Sequence, residues 1–247
     1  MRSIAPFLAL FVGTLACATI TNPTATTRGS RLIAPMHGYY AIYRAGERVG
    51  TERFSITSSA GLWRVTGEVE IDEPVEIVHG YELIVDPASE EPLGFDVWVE
   101  LAGERERAIG VVEGRHVRVD VESIMGPGSG RVPYARGTVI DFASPLANTL
   151  ALGLLLPDLA VGKSVHVRTI SIALPLLQPA VTLQRYTLVG REDDVSRVTI
   201  DQEDRHTAPT ALWVRADGLP VRVRTWPETG GEPYEMWMHV GDQPLSE

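Results

Sequence analysis

Between Leu62 and Ile71 the chain alternates: Trp63, Val65, Val69 and Ile71 fall on one side of an extended backbone, and Arg64, Thr66, Glu68 and Glu70 on the other. Side chains switch faces at every residue of a strand, so this segment predicts one dry and one solvated face. The same two-residue period predicts strands near Tyr39 to Arg44, Thr51 to Thr57, Val75 to Val85, Phe95 to Leu101, Arg107 to Val112 and His116 to Glu122. Gly46-Glu47, Ser59-Ala60-Gly61, Ala102-Gly103 and Glu113-Gly114 supply turn chemistry between several of them, which makes an antiparallel meander. A second series covers Val165 to Ile172, Val181 to Val189, Val195 to Asp201, Ala211 to Arg215, Val221 to Trp226 and Tyr234 to Val240. Asp217-Gly218 is its strongest hairpin turn, and Thr229-Gly230-Gly231 is another reversal.

The middle of the chain breaks this rhythm. Ser123 to Pro133 contains Gly126-Pro127-Gly128-Ser129-Gly130 and predicts a long, mobile loop. Ser144-Pro145 offers an N-cap and a first-turn proline to a short helix over residues 145–156, closed by Pro157-Asp158. That helix is apolar nearly all round, which predicts burial, and it falls short of the roughly 17 residues a membrane span needs. The expected fold class is therefore all-β and mainly antiparallel, either a curved unclosed β-barrel or a two-half meander, with the short helix covering the sheet.

On the concave apolar face of such a sheet the candidate ligand-lining residues are Trp63, Val65, Phe95, Val97, Met236 and Met238, joined by Leu146 and Leu150 from the helix. Methionine adds soft, adaptable surface suited to an irregular apolar guest. Trp98 and Trp237 share strands with these residues but point to the opposite face, alongside Glu100 and His239.

A chain of 247 residues, 44% hydrophobic and 22% charged, can bury a sizeable core, and all-β folds of this length commonly form one domain. The expected division is a signal peptide over 1–18, a flexible tether over 19–36 and a single antiparallel β-domain over 37–247. A net charge of -10, with arginine and acid alternating along most segments, argues against a nucleic-acid partner.

Arg2 and the apolar run from Ile4 to Ala16 form an export pattern, too short to span a bilayer. The only cysteine, Cys17, follows directly in Gly13-Thr14-Leu15-Ala16-Cys17, which resembles the lipobox of bacterial lipoproteins, with Thr14 where Leu, Val or Ile is usual. That resemblance implies lipid attachment at Cys17 and a membrane-anchored protein of the cell envelope. Ala16-Cys17-Ala18 also satisfies the A-x-A rule of ordinary signal peptidase, which would release the protein into the periplasm. Both routes leave no disulfide, so stability rests on core burial and sheet hydrogen bonds.

Catalytic chemistry is not legible. Gly162-Lys163-Ser164 imitates the end of a phosphate loop, but Pro157 stands where the leading glycine belongs and a strand follows. Ser129 lacks a glycine two places before it, so it makes no nucleophile elbow. His37, His79, His116, His166, His206 and His239 are scattered singly, without metal-ligand spacing. Glu90-Glu91 and Asp193-Asp194 are turn acids, and the repeated His-x-Arg of His116-Val117-Arg118 and His166-Val167-Arg168 reads as a solvated strand face. The expectation is a protein that is not an enzyme and carries no metal or cofactor.

Gly38-Tyr39-Tyr40-Ala41-Ile42-Tyr43, followed by Gly46-Glu47-Arg48-Val49-Gly50-Thr51-Glu52, looks like the opening of several bacterial envelope β-proteins. Leu212-Trp213-Val214-Arg215-Ala216-Asp217-Gly218-Leu219-Pro220-Val221 resembles their closing hairpin. Those proteins are similar in architecture to the lipoprotein-carrier group (LolA and LolB). The resemblance implies a curved open barrel whose concave apolar sheet holds a lipid or another apolar molecule. The alternative is a structural or protein-interaction role with a fully packed core, its protein partner unknown.

Overall fold

In a computed structural model, the described residues are 35–240 apart from 73–75, 102, 143, 149–151, 154, 174–176, 203–207 and 228–230. They form fifteen strands. The first eight are β1 (Met36–Arg44), β2 (Glu47–Ser59), β3 (Leu62–Ile71), β4 (Ile77–Asp86), β5 (Glu91–Leu101), β6 (Glu104–Glu113), β7 (His116–Glu122) and β8 (Gly128–Pro133). The rest are β9 (Val139–Asp141), β10 (Ser164–Ala173), β11 (Gln178–Glu192), β12 (Val195–Gln202), β13 (Thr210–Arg215), β14 (Pro220–Thr225) and β15 (Tyr234–Val240). All belong to one sheet in the order β8-β7-β6-β5-β4-β3-β2-β1-β15-β14-β13-β12-β11-β10-β9, antiparallel except for the β9–β10 pair. It is at once an unclosed barrel and a two-half meander, as the alternation predicts, with the halves joined where β1 pairs β15.

Turn chemistry fixes the register of the first hairpins. Ala45 and Gly46 take φ of 53° and 86°, and Ala60 and Gly61 take 51° and 74°. Two consecutive positive values are what a type I′ two-residue hairpin loop requires, and the twist of that loop matches that of the flanking strands. The first turn is thus Ala45-Gly46, one residue earlier than expected.

Three strand glycines face aromatic rings directly across the ladder: Gly67 opposite Tyr81, Gly80 opposite Trp98 and Gly110 opposite Phe95. In each pair the ring lies flat over the glycine, where an added Cβ would collide with it.

Two expectations are corrected. Ser123 to Pro133 is not one long loop, since Gly128–Pro133 is β8, paired with β7 from His116↔Pro133 to Val121↔Gly128. Glycine has little strand preference, but at a sheet edge tertiary pairing overrides it, and Pro127 and Pro133 sit at the strand's ends where a missing N–H costs nothing. The helix over 145–156 opens as a 3-10 turn, Pro145–Asn148, with helical backbone again at residues 152, 153 and 155. Its cap is as read: the Leu146 N–H donates to Ser144 Oγ at 3.1 Å. Met36, assigned to the tether, already belongs to β1, while residues 1–34, Cys17 among them, lie outside the described residues.

Two large clusters dominate the interior, beside a small third one of Ile42, Val49 and Val69. One buried cluster includes Phe54, Val65, Leu83, Phe95, Val97, Val119, Phe142 and Leu146; the other includes Leu152, Leu156, Tyr186, Leu188, Val198, Leu212 and Val214. The divider is the pair β9–β10. Val139 and Val167 face the second cluster, whereas Ile140, Ile170 and Ile172 face the first. The sheet therefore turns its own edge inward and occupies much of the concavity that it encloses. Each such side chain contributes roughly 1.5–3 kcal/mol on burial. Outside, the alternating charges pair across strands, as Arg53 with Glu70 and Arg105 with Glu100, each at 3.1 Å. Exposed pairs of this kind add roughly 0–1 kcal/mol each.

Candidate functional site

The inward positions of β2 are Gly50, Glu52, Phe54 and Ile56, so alternation sends one carboxyl group into the core. Glu52 is 1% exposed. Tyr40 stands beside it on β1, and Val69 separates it from His79 on β4 in the same cross-strand row. Tyr81 OH donates to Glu52 Oε1 at 2.6 Å, and Ser144 Oγ donates to the same oxygen at 2.6 Å. The two hydroxyls are themselves 2.8 Å apart. Ser144 belongs to the crossover between the two halves, so this cluster pins the crossover to the N-terminal wall.

Burial governs the electrostatics. It pushes Glu52 up to about 7, outweighing the two hydroxyl donors that favour the carboxylate. Tyr40 and Tyr81 are held well above the ordinary phenol value, first by burial and then by the Glu52 charge. The Tyr40 hydroxyl donates to the Pro220 carbonyl at 2.7 Å, tying β1 to the start of β14. His79 is lowered to about 4 by burial, and neither ring nitrogen has a partner among the described residues. Glu52 thus holds a proton below neutral pH, while Ser144 donates to that carboxyl and accepts from the Leu146 N–H.

Ser144 also forms part of the wall of a pocket of about 230 Å³ in the C-terminal half. Its floor is Ile200, Leu212, Val223 and Met236, and Gln184, Gln202, Thr210 and Trp226 stand around it. Gln184 is buried and accepts from the Tyr186 hydroxyl at 3.2 Å. Asp201, on the rim, is paired with Arg185.

Of the residues expected to line a ligand, Val65, Phe95, Val97 and Leu146 come together in the first buried cluster, with Trp63, Met236 and Met238 packed against it. Met236 alone among them reaches the pocket. Leu150 lies outside the described residues. Trp98 and Trp237 do face outward, Trp237 with 41% exposure. His116, His166 and Arg168 are exposed and Arg118 half-exposed, in line with a solvated strand face. Sequence reasoning missed Glu52, Tyr81 and Gln184. The signal for Glu52 was present, for it shares the period of Phe54 and Ile56.

No helix of the described residues is long and apolar enough to cross a membrane. The sequence matches no protein-family model and no curated protein. Solved structures show a likeness. A DUF1089 family protein from Pseudomonas aeruginosa is 20% identical over 69% of this chain and 87% of its own, with a TM-score of 0.48. A β-barrel-like protein of domain of unknown function DUF1849 from Brucella abortus is 13% identical, covers 85% of this chain and 100% of its own, and has a TM-score of 0.51. The second likeness shows fold alone: this chain is a β-barrel-like protein.

Proposed function

We propose that this chain is a non-catalytic protein of the cell envelope that binds a lipid or another apolar molecule on the concave side of its sheet. The observation that supports this best is the pocket of the C-terminal half, whose floor of Ile200, Leu212, Val223 and Met236 is apolar and whose surround of Gln184, Gln202 and Thr210 is polar. Such a gradient suits a guest with a greasy end and a polar end. Whole small-molecule sites start near roughly 300 Å³, so a pocket of about 230 Å³ takes the end of one chain rather than an entire lipid. The export pattern and the lipobox-like Cys17 support the envelope placement, and the similarity to the lipoprotein-carrier group supports the apolar guest.

The purified protein is expected to take up a fluorescent fatty acid saturably, and to lose that uptake in Ala208→Trp, which places an indole at the exposed mouth of the pocket without touching the core. A lipid-free preparation with no uptake would overturn the reading. It would favour the second one, an interaction protein, which draws support from the complete burial of Val97, Ala108, Val119 and Ile170 in a concavity largely filled by the chain itself. Cell fractionation checks the anchor separately: Cys17→Ala is expected to move the protein from the membrane to the soluble fraction, because two acyl chains are what hold such a protein stably. An unchanged distribution removes the acyl anchor.

A further inference from the structure

The convex face carries an arrangement that neither the pocket nor the buried cluster uses. Outward residues of β12 to β15 form a cross-strand row in which Arg197, Trp213, Arg222 and Trp237 are successive neighbours. The Arg222 guanidinium lies 4.5 Å from the centroid of Trp213 and 4.2 Å from that of Trp237, stacked between them. Its Nη2 also donates to Glu235 at 3.2 Å, and Arg224 Nε lies 3.6 Å from the other oxygen of Glu235. Stacking and ion pairing therefore hold Trp237 in one orientation while 41% of it stays exposed. An exposed ring fixed before any partner arrives is a preorganised contact surface.

Trp237 borders a groove of about 500 Å³. The β1–β2 turn at Ala45 and Gly46 forms one bank and Glu232-Pro233 forms the other, with Tyr43, Arg224, Glu235 and His239 between them. That volume falls within the range of small-molecule sites. Charge narrows the ligand. An anion meets Glu232 and Glu235, and the guanidinium groups that would attract it are engaged with Glu235. An organic cation meets Arg224 in the groove, with Arg222 stacked on Trp237 and Arg44 over the Tyr234 ring nearby. What remains is a neutral ligand with an apolar face for the indole and several hydroxyls for the carboxylate, guanidinium and phenol, which supply acceptors and paired donors. We propose that this groove binds a neutral saccharide, one ring stacking on Trp237 while its hydroxyls bridge Arg224, Glu235 and Tyr43.

The test titrates the full chain with maltose, cellobiose and N,N′-diacetylchitobiose, followed by tryptophan fluorescence and calorimetry. At least one is expected to bind saturably below concentrations on the order of 10 mM, with the matching glucuronate-containing disaccharide about tenfold weaker. Trp237→Ala is expected to weaken binding by about tenfold or more, while Met125→Ala, exposed on the other half, leaves it unchanged. If Trp237→Ala does not fold, Tyr43→Ala and Glu235→Gln carry the same expectation. No binding across the panel, binding indifferent to all of these groove substitutions, or equal binding of the charged sugar would each overturn the proposal.

Discussion

Glu52→Gln is expected to make the protein's stability rise with pH between about 4.5 and 6.5, whereas His79→Leu is expected to make it fall over the same interval. The slope of unfolding free energy with pH follows the difference in bound protons between the unfolded and folded chain. Glu52 titrates near 4.5 when unfolded and at about 7 when folded, so within this window the folded state holds a proton that the unfolded state has released. Its stabilising contribution is complete below the unfolded value and is lost as pH rises through the folded one. His79 behaves in the opposite sense. Its folded value is about 4 and its unfolded value 6.5, so the unfolded state carries the extra proton and stability is lost as pH falls.

Each group alone gives a slope of at most roughly 1.4 kcal/mol per pH unit, and in the wild-type chain the two oppose each other. Removing either one exposes the other. Over two pH units the single variants should drift apart by several kcal/mol, read as denaturant midpoints of opposite trend. Parallel trends in the two variants would show that the burial of Glu52 and His79 does not control their protons. Glutamine keeps an oxygen to accept from Tyr81 and Ser144, so the test removes a titration and not the hydrogen-bonded junction.

Phe95→Ala is expected to cost about 3–5 kcal/mol, the usual range for emptying a buried aromatic site. The ring fills core space and also covers Gly110 across the ladder. Gly110→Ala pushes a methyl group into that ring and should cost about 1–3 kcal/mol by overpacking. Because both changes act on one volume, Phe95→Leu combined with Gly110→Ala should cost less than the two single changes added together. Residues in contact couple in this way, and chemical denaturation of the four proteins measures the coupling. Strict additivity would mean that the ring and the glycine do not share that space.

The strands of both meanders were legible because each has a wet and a dry face, and the period of two survives in segments such as Leu62 to Ile71. β8 was illegible for the same reason turned round: Gly128, Ser129 and Gly130 give neither face a side chain that marks it. β9 has three residues, too few for any period to show. At β10 both faces of Ile170 and Thr169 are buried, so alternation is blurred there. The buried cluster divides similarly. The inward direction of Glu52 could be read from Phe54 and Ile56, but Ser144 is 92 residues away, and only the folded crossover brings it there. The pocket walls come from strands whose neighbours are set by tertiary pairing, and the groove beside Trp237 needs the union of β1 with β15 to exist at all.

That union orders events in time. β1 and β15 are the first and last of the described strands in chain order, yet they are immediate neighbours in register from Gly38↔Val240 to Arg44↔Tyr234. Everything between them must be synthesised before the two meanders can be stitched together, and until then each presents a raw flank of unsatisfied amides to whatever is nearby. Pairing at such sequence separation is slow, because the entropy of closing the loop is lost before any contact rewards it. Pairing of β1 with β15 is therefore expected to be a late step in assembling the sheet.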